Sequence, residues 1–162
     1  MKNTVFKPHK SSLGMNANIL AMMIYIAPFF ISLIPYVGYA AWILPLVIFI
    51  VEKKSKFVKF HAMTALIIMI IAAVVGIVLM IIIWSMSPFY SFGFFYYGFG
   101  GGIVGLLMAI LLIFSLSLLV LDIFLCIKAY SYKIVGLPIV GRIAANASGI
   151  TERTTRTRKK KR

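Results

Sequence analysis

The sequence predicts an all-α integral membrane protein with four transmembrane helices and a short helix lying at the membrane surface near the C-terminus. Of the 162 residues, 62% are hydrophobic, whereas soluble domains are usually about 45–50% apolar. Only 12% of the residues are charged, and all of them except Asp122 lie in three blocks separated by long apolar stretches. Apolar runs of about 20 residues or more indicate helices that cross a bilayer.

The first two helices are predicted within one long uncharged run, Ala17 to Val51. This run is long enough for a tight hairpin with helices at about 17–34 and 37–52. We place the break at residues 34–38, because Pro35 lacks a backbone donor and Gly38 permits a turn. A signal peptide is the alternative for this region, but the apolar run continues past the length of a signal-peptide core.

The third and fourth helices are predicted at about 62–84 and 103–127, both rich in aliphatic residues. The segment between them, 85–102, is uncharged and rich in aromatic residues and glycine, which favours a loop at the bilayer interface. Residues 128–150 are less hydrophobic. Their apolar residues recur at helical spacing opposite Arg142 and Asn146, which predicts a surface helix; these are Ile139, Val140, Ile143, Ala144, Ala147 and Ile150.

The chain therefore divides into a basic N-terminal arm at 1–15, a transmembrane domain at 16–150 and a basic tail at 151–162. We expect the arm to be mostly disordered, with Asn16 and Asn18 as candidate caps of the first helix. The tail has almost no apolar side chain to bury, so we expect it to be disordered as well.

The distribution of basic residues predicts that both termini are cytosolic. Of the 17 Lys and Arg residues, the arm holds 3, the 52–61 loop holds 4 and the chain from Lys128 onward holds 10. The two intervening loops hold none. Basic residues stay on the cytosolic side of a membrane, and four helices place all three basic blocks there. We expect a multi-pass protein of the cytoplasmic membrane.

The same charges predict the partners. The net charge of +14 lies beside apolar helices, so we expect the lipid bilayer and its anionic headgroups at the cytosolic face to be the partner, and no specific nucleic acid. A membrane-protein partner or a homo-oligomer remains open.

The sequence offers no catalytic, cofactor-binding or metal-binding set of residues. Its one cysteine, Cys126, cannot form an internal disulfide, and its only histidines are His9 and His61. There is no paired carboxylate, phosphate-binding glycine loop or zinc motif. We therefore expect a protein that is not an enzyme and needs no cofactor.

Two polar residues are candidates for a function inside the membrane. Asp122 is the one acid within an apolar run, and such acids often serve as proton relays. The alternative is an acid near the cytosolic end of its helix that pairs with a basic residue such as Lys54 or Lys128, or is simply hydrated. His61 is expected where the third helix enters the membrane. There it could act as a pH-responsive group, and the alternative is a structural histidine.

Short motifs in the sequence resemble the Tic-twenty-like family of small bacterial membrane proteins, distant relatives of a chloroplast protein-import subunit. The similar segments are 12–19, 50–63, 128–130 and 137–144. The resemblance implies a small helical bundle and draws attention to a set of motif residues, namely Glu52, Lys53, Lys56, Phe57, Phe60, His61, Ala62, Lys128, Leu137, Pro138 and Gly141.

The function expected from these observations is that of a structural, accessory or transport-related membrane component. The alternative is a small channel or transporter subunit, acting as an oligomer. A membrane enzyme is the third class, and it would require a lipid substrate.

Overall fold

The computed structural model describes residues 4–85 and 100–150. The described chain is mostly helical, in agreement with the predicted all-α class. Within residues 4–85 and 100–150, five α-helices and a short 3₁₀ helix (Val37–Ala40) follow one another, and the N-terminal arm and a later segment form a small antiparallel sheet. The α-helices are α1 (Ala17–Ser32), α2 (Ile43–Val51), α3 (Lys56–Ser85), α4 (Gly100–Tyr130) and α5 (Val140–Ala147), and the strands are β1 (Thr4–Val5) and β2 (Lys133–Ile134).

Only two of the four predicted spans are long enough to cross a bilayer. These are Lys56–Ser85 and Val104–Tyr130, judged by length and apolar composition. Helix α1 has 16 residues and is about 24 Å long, whereas the hydrocarbon core of a bilayer is about 30 Å thick. Helix α2 has 9 residues. The prediction of four transmembrane helices is therefore not confirmed for the first hairpin.

The first hairpin is short because the break between its helices is wider than expected. Helix α1 ends at Ser32, and the chain then turns through Tyr36, which has a positive φ of 64°, into the 3₁₀ helix. A Cβ atom at Gly38 would lie 2.7 Å from the carbonyl oxygen of Ser32. Only glycine permits this close approach, so the predicted role of Gly38 in the turn is confirmed.

The sequence predicted that the third helix begins at about residue 62, but α3 begins at Lys56. The side-chain oxygen of Ser55 accepts a hydrogen bond from the backbone N–H of Val58 at 3.2 Å, which is the geometry of an N-cap. The basic loop is thereby reduced to residues 52–55. Helix α4 is likewise longer than the predicted 103–127.

The expected disorder of the N-terminal arm is wrong for its described part. Thr4 pairs with Ile134 and Val5 with Lys133 in the two-stranded sheet. The backbone N–H of Phe6 donates to the carbonyl of Tyr132 at 2.9 Å. The polar composition of the arm suggested that it is solvated. Its backbone partner lies more than 120 residues away along the chain, so the sequence around the arm gives no sign of the pairing. Most of the aromatic loop at 85–102, together with the tail, lies outside the described residues.

The described residues fall into two compact units. One comprises the chain up to Met69 and from Asp122 onward, and it contains the buried core, including Ile24, Phe57, Phe60 and Leu125. The other comprises Ile70–Leu121, where α3 and α4 expose most of their large apolar side chains. Exposed apolar surface of this extent is typical of a lipid-facing segment.

Candidate functional site

Three segments of the first unit form a basic cap, comprising residues 4–15, 52–61 and 130–150. The sequence separates these segments by the helical regions, yet hydrogen bonds and aromatic contacts join them in the structure. Most of the motif residues singled out in the sequence lie in this cap. It is the part of the described chain where polar side chains converge.

Glu52 joins the N-terminal arm to the loop before α3. Its side chain is fully buried. The carboxylate accepts hydrogen bonds from the backbone N–H groups of Ser12 at 3.0 Å, Lys54 at 2.9 Å and Ser55 at 2.9 Å. The N–H of Lys53 in turn donates to the Ser12 hydroxyl at 3.2 Å. Glu52 thus holds the chain before α1 against the chain after α2.

The environment of Glu52 favours the charged carboxylate. Burial by itself would raise the pKa of Glu52, but hydrogen bonds from the backbone at Ser55, Ser12 and Lys54 outweigh it and lower the pKa below its ordinary value. A carboxylate that accepts several N–H groups is stabilised in its ionised form. Glu52 therefore acts as a charged structural anchor for the arm.

His9 continues this hydrogen-bond chain. Its Nδ1 lies 2.8 Å from the carbonyl of Lys7, so Nδ1–H is the donor, and its Nε2 lies 2.7 Å from the Ser55 hydroxyl. The same hydroxyl caps α3. The arm therefore reaches the first turn of a candidate membrane span through two side chains, His9 and Glu52.

Phe57 is the centre of an aromatic cluster inside the cap. It is fully buried, and its ring centroid lies 5.5 Å from that of Phe6, 5.5 Å from that of Tyr132 and 4.6 Å from that of His61. Aromatic pairs at such separations are stabilising beyond the area that they bury. Phe57 thus ties together the arm, the start of α3 and the segment before β2.

His61 lies one turn further along α3 and is also fully buried. Its Nδ1 is 3.0 Å from the hydroxyl of Tyr25 on α1, and its ring packs against that of Phe60 at 5.6 Å. Within the described chain its Nε2 makes no hydrogen bond of ordinary geometry. The polar group nearest in effect to the ring is the backbone of Lys133, which favours the protonated imidazole. The surroundings are those of a core histidine that joins α1 to α3.

Asp122 forms no hydrogen bond with the described residues of this network. It is half-buried on α4, and among the described residues it makes no ion pair, either with Lys54 or with Lys128. Its electrostatic neighbours are Tyr25 and Cys126. Lys128 instead lies over the Phe124 ring, with its Nζ 5.0 Å from the centroid.

The remaining motif residues shape the cap. Ala62 is fully buried, whereas Lys53 and Lys56 are exposed. The carbonyl of Leu137 accepts the N–H of Gly141 at 3.1 Å, across the exposed Pro138. A Cβ atom at Gly141 would lie 3.2 Å from the carbonyl carbon of Gly136, so glycine lets α5 pack closely on the chain that precedes it.

Sequence reasoning missed several residues that belong to the cap or contact it, namely Phe6, His9, Ser12, Tyr25, Ser55 and Tyr132. Ser55 carried a usable signal, because a serine placed just before a helical run is a typical N-cap. The others carried none, since their contacts join distant parts of the chain. Asn16 does occupy the N-cap position of α1, but its side chain makes no capping hydrogen bond, and Asn18 donates to the carbonyl of Tyr130 at 3.2 Å.

The geometry of the described residues offers hydrogen-bond anchoring and charge, with no group of three or more His, Cys, Asp or Glu side chains that could hold a metal ion among them. What the cap can do chemically is to fix the ends of α1, α3 and α4 and to present cations. Its candidate role is therefore to hold these helix ends in position and to bind anionic groups through its cations.

Comparison with known proteins gives one match. The family model described as the MamF/MmsF magnetosome magnetite crystal formation protein family matches residues 16–144. No curated protein and no solved structure matches the chain. The matched range contains all five α-helices except the last residues of α5, and it excludes the N-terminal arm.

This match corrects the family suggested by the motifs. The resemblance to a Tic-twenty-like family is wrong, and the transport-related function that it suggested has no support. The misleading motifs are short, and the longest of them, 50–63, combines basic and aromatic residues where a helix enters a membrane, a composition that membrane boundaries favour in general. The motif residues nevertheless lie within the matched range.

Proposed function

Because the chain belongs to the MamF/MmsF magnetosome magnetite crystal formation protein family, we propose that it is a non-enzymatic component of the magnetosome membrane that takes part in forming the magnetite crystal. The observation that carries this proposal is the family match over residues 16–144. Two helices long and apolar enough to span a bilayer support the membrane location.

We propose further that the protein acts by organising the membrane around the crystal. A mineral-binding surface built from carboxylates would need clustered acids, and the chain has 3 Asp and Glu residues in total. Glu52 is buried among backbone N–H groups and Asp122 lies within α4. The third, Glu152, belongs to the basic tail. A structural contribution fits this composition better than direct templating of the mineral.

The proposed topology places the cap and both termini in the cytosol. Its support is the charge distribution together with two contacts. The hydrogen bond from Ser12 to Glu52 joins the two ends of the first hairpin, and the pairing of β1 with β2 joins the arm to the chain after α4. These contacts support placing the arm, the loop before α3 and the chain just after α4 on one side, whether or not the first hairpin crosses the bilayer.

Expression in a magnetite-forming bacterium that lacks its own family member tests the function. We expect the chain to be found in the magnetosome membrane and to restore crystal size, as measured by electron microscopy. The Phe57→Ala variant should restore it poorly because the cap is opened, whereas the exposed control Lys53→Ala should act like the unmodified chain. The proposal would be contradicted if the protein is present in that membrane but the crystals stay the same size as in cells without it.

A further inference from the structure

Helix α5 has two faces of different character. The buried face consists of small residues, Gly141, Ala144, Ala145 and Ser148, which recur at the spacing of one helical face. The other face is exposed and carries Ile139, Arg142, Ile143 and Asn146, with Ile139 74% exposed and Ile143 46% exposed. The helical spacing predicted that Ala144 shares a face with the isoleucines and that Arg142 lies on the opposite face. In the structure Ala144 is buried, whereas Arg142 is exposed together with Ile143.

Helix α5 is held at the end of a candidate membrane span. The Nζ of Lys56, the first residue of α3, donates to the carbonyl of Gly149 at 3.0 Å, just beyond the C-terminus of α5. The close packing of Gly141 on Gly136 fixes the other end of α5. The exposed face is therefore fixed in the part of the molecule where α3 begins, which is the depth of lipid headgroups for a spanning helix.

The charge around this face is not neutralised by the described part of the chain. That part contains nine Lys and Arg residues and two acids. Glu52 is satisfied by backbone N–H groups, and Asp122 makes no ion pair with a described residue. Lys59 lies over the ring of Phe49, its Nζ 5.7 Å from the centroid, as a lysine does when its stem lies along apolar surface and its charge reaches out.

We infer that the exposed face of α5, with Lys56 and Lys59 at the start of α3, docks on the anionic headgroups of the bilayer that holds the protein. Isoleucines beside an arginine suit the boundary between acyl chains and phosphates, where apolar side chains insert and a guanidinium binds phosphate oxygens. A nucleic acid would match the charge and leave the isoleucines in water. The docking rests on α3 crossing a bilayer, and it does not depend on a role in forming the magnetite crystal.

A fluorescent probe on α5 tests this docking. In a Cys126→Ser background, Ile143→Cys is labelled with an environment-sensitive dye, and the full chain is placed in nanodiscs of phosphatidylcholine alone or mixed with phosphatidylglycerol. We expect the probe to be protected from aqueous iodide in the anionic discs and less so in the neutral ones. Arg142→Gln should lower the ratio of docked to undocked α5 about fivefold.

Two variants separate local docking from total charge. Lys7→Gln removes one positive charge from the exposed arm and should leave the protection nearly unchanged, while Arg142→Lys should restore most of it. Equal iodide quenching in the two kinds of disc would overturn the inference. Protection that occurs only when a disc holds two chains would also overturn it, because the occupant would then be a second copy.

Discussion

Replacing Phe57 by alanine is expected to open the cap, with a loss of about 3–5 kcal/mol in the free energy that keeps it closed. Phe57 is fully buried and its ring contacts Phe6, His61 and Tyr132, which come from three separate segments. Truncation removes all of these contacts and leaves a cavity, because the backbone around it is held by the β1–β2 pairing and by Glu52.

Trypsin cleavage after Lys59 in the purified protein measures this opening, because cleavage within a helix requires the helix to unfold locally. When opening is fast compared with cleavage, the rate follows the open population, so the variant should be cut at least about a hundredfold faster. Phe30→Ala, at an exposed position on α1, is the matched control and should be cut at the original rate. Equal rates for Phe57→Ala and the unmodified chain would show that the aromatic cluster does not hold the cap.

Replacing Glu52 by alanine is expected to release the N-terminal arm and to cost about 3 kcal/mol. The substitution leaves the backbone N–H groups of Ser12, Lys54 and Ser55 without their acceptor. The effect should appear as rapid cleavage after Lys10, with Lys53→Ala as the exposed neighbouring control. Glu52→Gln retains an oxygen that can accept these hydrogen bonds, so its loss should be smaller.

The pH dependence of the same cleavage gives an independent check on Glu52. The pKa of this carboxyl in the folded protein lies below its ordinary value of 4.5. A lowered pKa contributes stability that is complete above the ordinary value and is lost as the pH falls through the folded-state pKa. The arm should therefore loosen on acidification below about pH 4.5, as seen with a protease active in acid, and Glu52→Gln should lose this step. An identical acid response in Glu52→Gln would assign the effect to other groups.

The sequence was a good guide to the long helices and a poor guide to the first hairpin. The apolar runs of α3 and α4 leave few alternatives, because no other structure can satisfy the backbone of so long an apolar segment in lipid. Between Ala17 and Val51 the chain is as apolar as in α3 and α4. Here, however, it turns through Tyr36 and the 3₁₀ helix, and the residues of this turn do not belong to α1 or α2, which are therefore short. Hydropathy alone does not distinguish a short helix pair from two full spans.

The cap could be predicted only as a list of parts. Charge and motif residues identified Glu52, Phe57 and His61 as candidates, and the structure brings them into one connected site. Their partners Ser12, Tyr25 and Tyr132 were not predictable, because pairing over such sequence separations leaves no periodic signal. The pairing of Asp122 with Lys54 or Lys128, one of the two alternatives to a relay, is not formed among the described residues, and a hydrated Asp122 stays a prediction. The spacing along α4 does not determine what faces that side chain.

Cysteine labelling from the two sides of the membrane tests most directly whether the basic cap is cytosolic and the uncharged loops face the other side. Lys53 is the suitable reporter for the cap, because it is exposed whereas Ser55 is buried. The chain is expressed in the cytoplasmic membrane of a bacterium that forms no magnetosomes, so that its non-cytosolic side faces the cell exterior. In a Cys126→Ser background, Lys53→Cys should then resist an impermeant maleimide until the membrane is opened, and Ser91→Cys should react at once. Labelling of Lys53→Cys from outside in intact cells would contradict this topology, and with it the proposed orientation of the cap.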